Sequence, residues 1–237
     1  MADLHLHTLY SDGTAGVATL LDWVGRHTAL DLIAITDHDR IDGGIRALEL
    51  WETGNHNFQV AVGEEVTTRH GHVLALFLTR PIPPFRTASE TVERIHDQGG
   101  LAIAPHPMGL PLSIGRGRLA RIQEDPRPER RFDAIELVNA SLGGRVRRAE
   151  RERFNAERLR LPGLGSSDAH VLEGVATAWT WFAGTTAADF RAALRANEVE
   201  AAGGYWSVGH NMAVYGRQLV AKARHLRHTL RPTGEWR

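Results

Sequence analysis

The sequence predicts an α/β barrel. Short, almost continuous apolar runs recur along its 237 residues and alternate with stretches at helical spacing. The His, Asp and Glu residues that stand out sit at the C-terminal ends of those runs. In a closed barrel such ends converge on one mouth. In an open doubly wound sheet, residues from six strands would lie too far apart to share one site. No Gly-x-Gly-x-x-Gly and no P-loop is present.

The first run is Asp3-Leu4-His5-Leu6-His7-Thr8, where leucine and histidine alternate with a period of two. Both imidazoles therefore leave one face of one strand. Ser11-Asp12-Gly13-Thr14 reads as a turn, with Thr14 as helix N-cap, and Val17, Leu20, Leu21 and Val24 follow at helical spacing. Residues 32–36 are the next strand, buried on both faces, and end in Asp37-His38-Asp39. Gly43-Gly44 opens a helix carrying Ile45, Leu48 and Leu50. Strands are expected over 59–67, with Glu65 inside, and over 72–78, joined by a tight turn at His70-Gly71.

A proline-rich connection at 81–84 precedes a helix over about 88–98, closed by Gly99-Gly100. Residues 101–104 form a strand ending in Pro105-His106-Pro107. Residues 108–131, rich in Gly, Pro and Arg, are the longest irregular stretch and a candidate lid or substrate loop, with a short helical piece near 119–123. A strand over 134–138 ends at Asn139, and 145–159 reads as one polar, arginine-rich helix. Residues 161–166 lead into Ser167-Asp168-Ala169-His170. A late strand over 177–182, a helix over 186–196 and a final helix with a basic face over 212–230 complete the chain. One domain over 1–237 is expected, with about 171–237 as an extension packed on it.

Composition narrows the function. Lys+Arg and Asp+Glu both number 28, so net charge argues for neither nucleic acid nor an anionic membrane as partner. There is no cysteine, which removes disulfides, thiolate metal sites and cysteine nucleophiles. No apolar run approaches a membrane span and no signal peptide precedes the first strand, so a cytoplasmic enzyme is expected. The unusual count is 13 histidines.

His5-Leu6-His7 with Ser11-Asp12-Gly13, Thr36-Asp37-His38-Asp39, Gly63-Glu64-Glu65, Gly71-His72-Val73-Leu74, Pro105-His106-Pro107 and Ser167-Asp168-Ala169-His170 together resemble the PHP (polymerase and histidinol phosphatase) family of metal-dependent hydrolases. The motifs occur in the family's order and span residues 3–170. The resemblance implies a distorted (β/α)7 barrel with two or three divalent ions at its C-terminal mouth. It implies one ion held by His5, His7, Glu65 and Asp168, with Glu65 bridging to a second that also takes His72 and His106. It implies a third held by Asp12, His38 and His170. Glu64 competes with Glu65 for the bridge, and Glu65 is chosen on the pattern Gly-x-Glu. His72 is preferred to His70 because it begins the apolar strand.

Nitrogen and oxygen ligands suit zinc, manganese or iron. A metal-bound water is then the expected nucleophile. His38 and His170 are candidate proton donors where their ion is absent. The expected reaction is hydrolysis of a phosphate ester on a small metabolite, nucleotide or oligonucleotide end; nucleic acid enters only as such an end. Hydrolysis of a carbamate, ester or amide, and a non-catalytic module, are the alternatives.

Plainer roles compete at several positions. Ser-Asp sequences favour helix caps, which Asp168 would satisfy, and Asp12 stands in a turn beside Gly13. Asp37 and Asp39 are candidate supports of His38 or helix caps. Glu136 and Asn139 are candidate substrate contacts, with a structural hydrogen bond as the alternative. The arginines of 116–131 match phosphate geometry but read as solvated. His27, His56, His96, His210, His225 and His228 read as solvated or locally packed.

Overall fold

The structure is a computed structural model that describes residues 1–109, 112–206 and Gly216. Among these residues nine strands build one sheet: β1 (Ala2–Leu6), β2 (Leu32–Ile35), β3 (Gln59–Thr68), β4 (Gly71–Leu76), β5 (Leu101–Ala104), β6 (Ala134–Asn139), β7 (Gly163–Ser166), β8 (Ala178–Phe182) and β9 (Val199–Gly203). Their order across the sheet is β7-β6-β5-β4-β3-β2-β1-β8-β9. β1, β2 and β3 run parallel, as do β5, β6 and β7. β4 is antiparallel to both β3 and β5, because β3 and β4 form a hairpin with no intervening helix. That hairpin is the distortion of the barrel.

The sheet curls until its β7 side meets β1. Leu6 bridges Ala169 in parallel, with His7 N donating to Ala169 O at 3.0 Å. The buried Asp3 carboxylate stitches the same seam, accepting from Ser167 N at 2.9 Å and Ala176 N at 3.0 Å. Burial pushes this acid up to about 6. One apolar cluster takes Leu4, Ala34, Ala61, Leu74, Ile103, Ala134 and Leu164, one residue from each of β1 to β7. Strands meet around a common centre in this way only when the sheet nearly closes. The fold is thus the expected α/β barrel. β8 and β9 extend the same sheet beyond β1.

Among the described residues, seven α-helices surround it: α1 (Val17–His27), α2 (Asp42–Thr53), α3 (Ala88–His96), α4 (Arg116–Gln123), α5 (Leu142–Arg145), α6 (Arg148–Phe154) and α7 (Ala187–Ala196). α1 buries Val17, Leu20, Leu21 and Val24, the face its spacing predicts. α3 and α7 begin with reciprocal caps, Thr87 with Glu90 and Thr186 with Asp189, each satisfying otherwise orphaned N–H groups.

Several local expectations are corrected. The N-cap of α1 is Gly16, not Thr14; the Thr14 hydroxyl and amide both donate to His170 O instead, tying the first loop to the last motif. α2 turns Gly43, Gly44 and Ala47 inward and leaves Ile45 exposed, because a Cβ at Gly43 would strike the Asp37 carboxylate. Small residues let this helix approach the strands closely. β4 stops at Leu76, short of 78.

The single helix expected over 145–159 is instead α5, a left-handed residue at Arg147, α6 and a π-helical turn at Asn155–Leu159. The break serves the side chain of Arg151, which is fully buried and draws Gly144 and Val146 carbonyls toward it. β9 was not expected. The helix expected over 212–230, and His210, His225 and His228, lie outside the described residues. Among the described residues, no helix is long and apolar enough to cross a membrane.

Candidate metal centre

All nine residues named as ligands by the motifs converge at the C-terminal mouth. Glu65 is the hub. Its Oε2 lies 3.2 Å from His5 Nε2, 3.3 Å from His7 Nε2 and 3.3 Å from His38 Nδ1. Its Oε1 lies 2.7 Å from His72 Nδ1 and 3.0 Å from His106 Nε2. Asp168 Oδ1 is 3.5 Å from His5 Nε2 and 3.4 Å from His7 Nε2. Asp12 Oδ1 is 3.1 Å from His170 Nε2, 3.7 Å from His38 Nε2 and 3.8 Å from His7 Nδ1. Within each of four overlapping groups the ligand atoms lie within 4.8 Å of one another: His7, Asp12, His38 and His170; His5, Glu65 and His106; His5, His7 and Asp168; His38, Glu65 and His72.

Sheet geometry explains which residue of each motif arrives. Adjacent strand residues face opposite ways, so Glu65 enters the cluster while Glu64 faces away and accepts from Ile82 N at 2.9 Å. His72 enters from the start of β4, whereas His70 stands in the turn before it and accepts from Ala88 N at 3.2 Å. Beyond the strands, His106, Asp39 and Asp168 adopt φ of 30°, 53° and 54°. Left-handed backbone at residues other than glycine stores local strain and collects at functional sites.

A second layer fixes the imidazoles. The buried Glu136 accepts from His5 Nδ1 at 3.0 Å, from His106 N at 2.7 Å and from Asn139 Nδ2 at 2.9 Å. Ser113 Oγ donates to His106 O at 2.9 Å, so its lone pair receives His106 Nδ1 at 3.2 Å. His170 Nδ1 donates to Asp168 O at 2.9 Å. With Nδ1 committed as donor, His5, His106 and His170 each keep an Nε2 lone pair aimed into the cluster. Asp37 accepts from Thr8 N, Thr8 Oγ1 and Ser11 Oγ at 2.6–2.7 Å, anchoring the loop that carries Asp12. Asp39 accepts from Thr67 N at 2.6 Å.

The donor set fits divalent ions. His5 Nε2 and both His7 ring nitrogens are buried with no hydrogen-bond partner. Burying such atoms unpaired is costly unless something binds them. Ligand atoms about 2.0–2.2 Å from one tetrahedral ion stand roughly 3.3–3.5 Å apart, close to the 3.2–3.5 Å separating His5 and His7 Nε2 from Glu65 Oε2 and Asp168 Oδ1.

Electrostatics agree. Burial alone would raise Glu65, yet the neighbouring His38, His72 and His5 hold it well below the usual carboxylate range. Burial opposes His7 in turn, but the nearby Asp168 and Glu65 carboxylates push it up to about 10. Protons on the imidazoles thus stand in for missing positive charge. Burial carries His38 the other way, down to about 4.

Beside the cluster lies a cavity of about 770 Å³ whose lining includes Asp12, His38 and His72 together with Tyr10, Arg40 and Leu112. Arg40 donates to Tyr10 O at 2.9 Å and to Asp42 at 3.0 Å. Three of the arginines of 116–131 are engaged elsewhere: Arg116 lies over the Phe154 ring, Arg127 pairs with Asp125 and Arg130 with Glu93. Glu136 and Asn139, candidate substrate contacts from sequence, are completely buried and hydrogen-bonded. His27 and His96 pack locally, on Trp23 and against Asp133. Sequence reasoning missed Arg40 and the hydroxyls of Thr8 and Ser11. The one available signal was their place in the first two motif loops.

Residues 147–199 match the PHP-associated family model. The uncharacterized protein MJ1587 of Methanocaldococcus jannaschii is 38% identical over 117 residues, which are 45% of this chain and 67% of that protein. Among solved structures, a two-domain protein of Bacteroides vulgatus containing a predicted PHP-like metal-dependent phosphoesterase has a TM-score of 0.68 at 20% identity, covering 86% of this chain and 64% of that one. The lesion-specific endonuclease EndoQ of Pyrococcus furiosus has a TM-score of 0.62 at 17% identity, covering 84% and 57%. An amidohydrolase of Chromobacterium violaceum has 0.58 at 17%, covering 84% and 97%. At these identities the structural likeness speaks for the fold. The chain spans under two thirds of the Bacteroides and Pyrococcus proteins. With the ordered motifs gathered at one barrel mouth and the family model matched beside them, the chain belongs to the PHP domain family.

Proposed function

We propose that the chain is a metal-dependent hydrolase, and specifically a phosphoesterase acting on a small phosphorylated metabolite, nucleotide or oligonucleotide end. The observation that carries this reading is Glu65, whose two carboxylate oxygens each face a different set of imidazoles. Two or three divalent ions, zinc, manganese or iron, would supply Lewis acidity and an acidified water there.

The chain's residues do the rest. His5, His7 and Asp168 form one set with Glu65 Oε2, and His72 and His106 another with Oε1. Asp12, His38 and His170 form a third set on the cavity side. Glu136 holds His5 in the tautomer that presents Nε2. His38, pushed down to about 4 by burial, suits ligation better than proton donation, which leaves His170 as the candidate donor where its ion is absent. The cavity is of a size that takes a metabolite or nucleotide, and Arg40 offers a guanidinium to an anionic group at its rim.

The test is purified protein, its metals quantified, assayed on phosphomonoesters, phosphodiesters and carbamates. Phosphate release that disappears in Glu65→Gln supports the reading. Carbamate cleavage without phosphate release overturns the phosphoesterase assignment. Full activity in the variant overturns the site.

A further inference from the structure

Arg151 is among the largest fully buried side chains of the molecule, and nothing in the metal-site reading uses it. No ion pair with it forms among the described residues. Five hydrogen bonds run instead to four main-chain carbonyls. Nε and Nη2 donate to Leu137 O at 3.3 and 3.0 Å, Nη1 to Pro107 O at 3.2 Å and Val146 O at 3.4 Å, and Nη2 to Gly144 O at 2.5 Å. These use all the guanidinium's donors. A buried charge with no direct ion partner is an expensive way to join segments, and an apolar residue of like size would serve stability as well.

The carbonyls it selects are informative. Pro107 follows His106, whose Nε2 is 3.0 Å from Glu65 Oε1. Leu137 follows Glu136, which accepts from both His5 Nδ1 and His106 N. Gly144 lies against Asn139, which donates to Glu136 and, at 3.3 Å, to Asp168. The guanidinium therefore clamps the backbone beside three residues that set the geometry around Glu65. Only a planar, five-donor fork spans all four carbonyls; a lysine has three donors on a flexible stem.

We propose that Arg151 is a positioning residue for the metal centre, holding His106 and Glu136 in register so that Glu65 and His106 share an ion. The inference rests on the metal reading above.

Metal titrations of the full chain, followed by binding isotherm, compare wild type, Arg151→Lys, Arg151→Met, His106→Ala and the double variants. Arg151→Lys is expected to weaken one ion by about 10- to 100-fold, the usual effect of losing a ligand's outer partner, at unchanged helix content. In the His106→Ala background the same change is expected to add little, since both act on one ion. In wild-type protein the Arg151 Nε resonance is expected to move during zinc titration, because coupling between sites is reciprocal; this readout needs no variant to fold. Wild-type affinity in both Arg151 variants, full additivity with His106→Ala, or an unmoved resonance overturns the proposal. Wild-type protein that takes up no ion overturns the metal reading and this inference with it. Normal wild-type uptake with unaffected Arg151 variants overturns this inference alone.

Discussion

The two ends of the barrel are made from the same strands and are built on opposite principles. At the mouth, β1 to β7 deliver imidazoles and carboxylates that are buried and held at 2.7–3.8 Å from one another. At the other end, where β1 begins, Ala2 pairs with Thr180 and the chain of β8 runs on to Phe182. There Phe182 meets Phe190 edge-to-face at 5.5 Å, over the apolar cluster that every barrel strand enters. Paired aromatic burial gains free energy without demanding charge or strain. The mouth concentrates desolvated charge and left-handed backbone, which lower stability unless a bound cation satisfies them. One end secures the fold so that the other can hold an arrangement that does not stabilise it.

Mutation should separate the two ends. The largest effect is expected from Glu65→Gln at the mouth: turnover falls by roughly 10³-fold or more, since both metal sets lose their shared anion, while chemical denaturation of the metal-free chain changes little. Steady-state kinetics and a urea titration check this, and a large loss of stability with retained turnover would reverse the comparison. Phe190→Ala at the far end should do the opposite. It should lower unfolding free energy by about 3–5 kcal/mol and leave metal stoichiometry intact, read from denaturant midpoints and metal analysis of the folded fraction.

Glu136→Gln sits between the extremes. It keeps shape but weakens the acceptor for His5 Nδ1, and a ~10- to 100-fold loss in metal affinity is expected, with a smaller change in stability. Competition with a chelator of known affinity measures it.

A pH series sharpens the same contrast. His7, pushed up to about 10 in the metal-free chain, keeps its proton when folded after losing it when unfolded. Its stabilisation is fully present below about pH 6.5 and fades as pH rises toward 10. Metal-free protein should therefore melt at falling temperature across that window, and the metal-loaded form should not follow, since its imidazoles carry ions in place of protons. Scanning calorimetry of both forms, pH 6.5 to 10, tests this; parallel curves would contradict it.

The mouth was legible in the sequence to different depths. The nine candidate ligands could be read because six His, Asp and Glu motifs stand in the order of the PHP family; strand periodicity by itself points only to His5 and His7 sharing a face. The pattern Gly-x-Glu selects Glu65 over Glu64, the start of the apolar strand selects His72 over His70, and both selected residues stand in the cluster. The layer behind them was less legible. Glu136 shows itself as a lone acid within an apolar strand, but its partner His5 lies 131 positions away, and no local pattern encodes that contact. Arg151 gave no signal, standing among arginines that remain at the surface.

In α2 the sequence shows the apolar residues but not that Ile45 stays exposed while Gly43 and Gly44 are buried beside the packed Leu48 and Leu50. The 145–159 segment was misread because the Gly144 and Val146 carbonyls at its start bond to a buried guanidinium instead of continuing a helix. In both cases a tertiary contact overrode local preference.

The most direct test of the account is a crystal structure of protein grown with zinc or manganese, with anomalous difference maps collected at the metal edge. The account expects at least two peaks, one among His5, His7, Glu65 and Asp168 and one reached by Glu65 and His106, with Glu65 touching both. No peak within reach of Glu65 at saturating metal would contradict it.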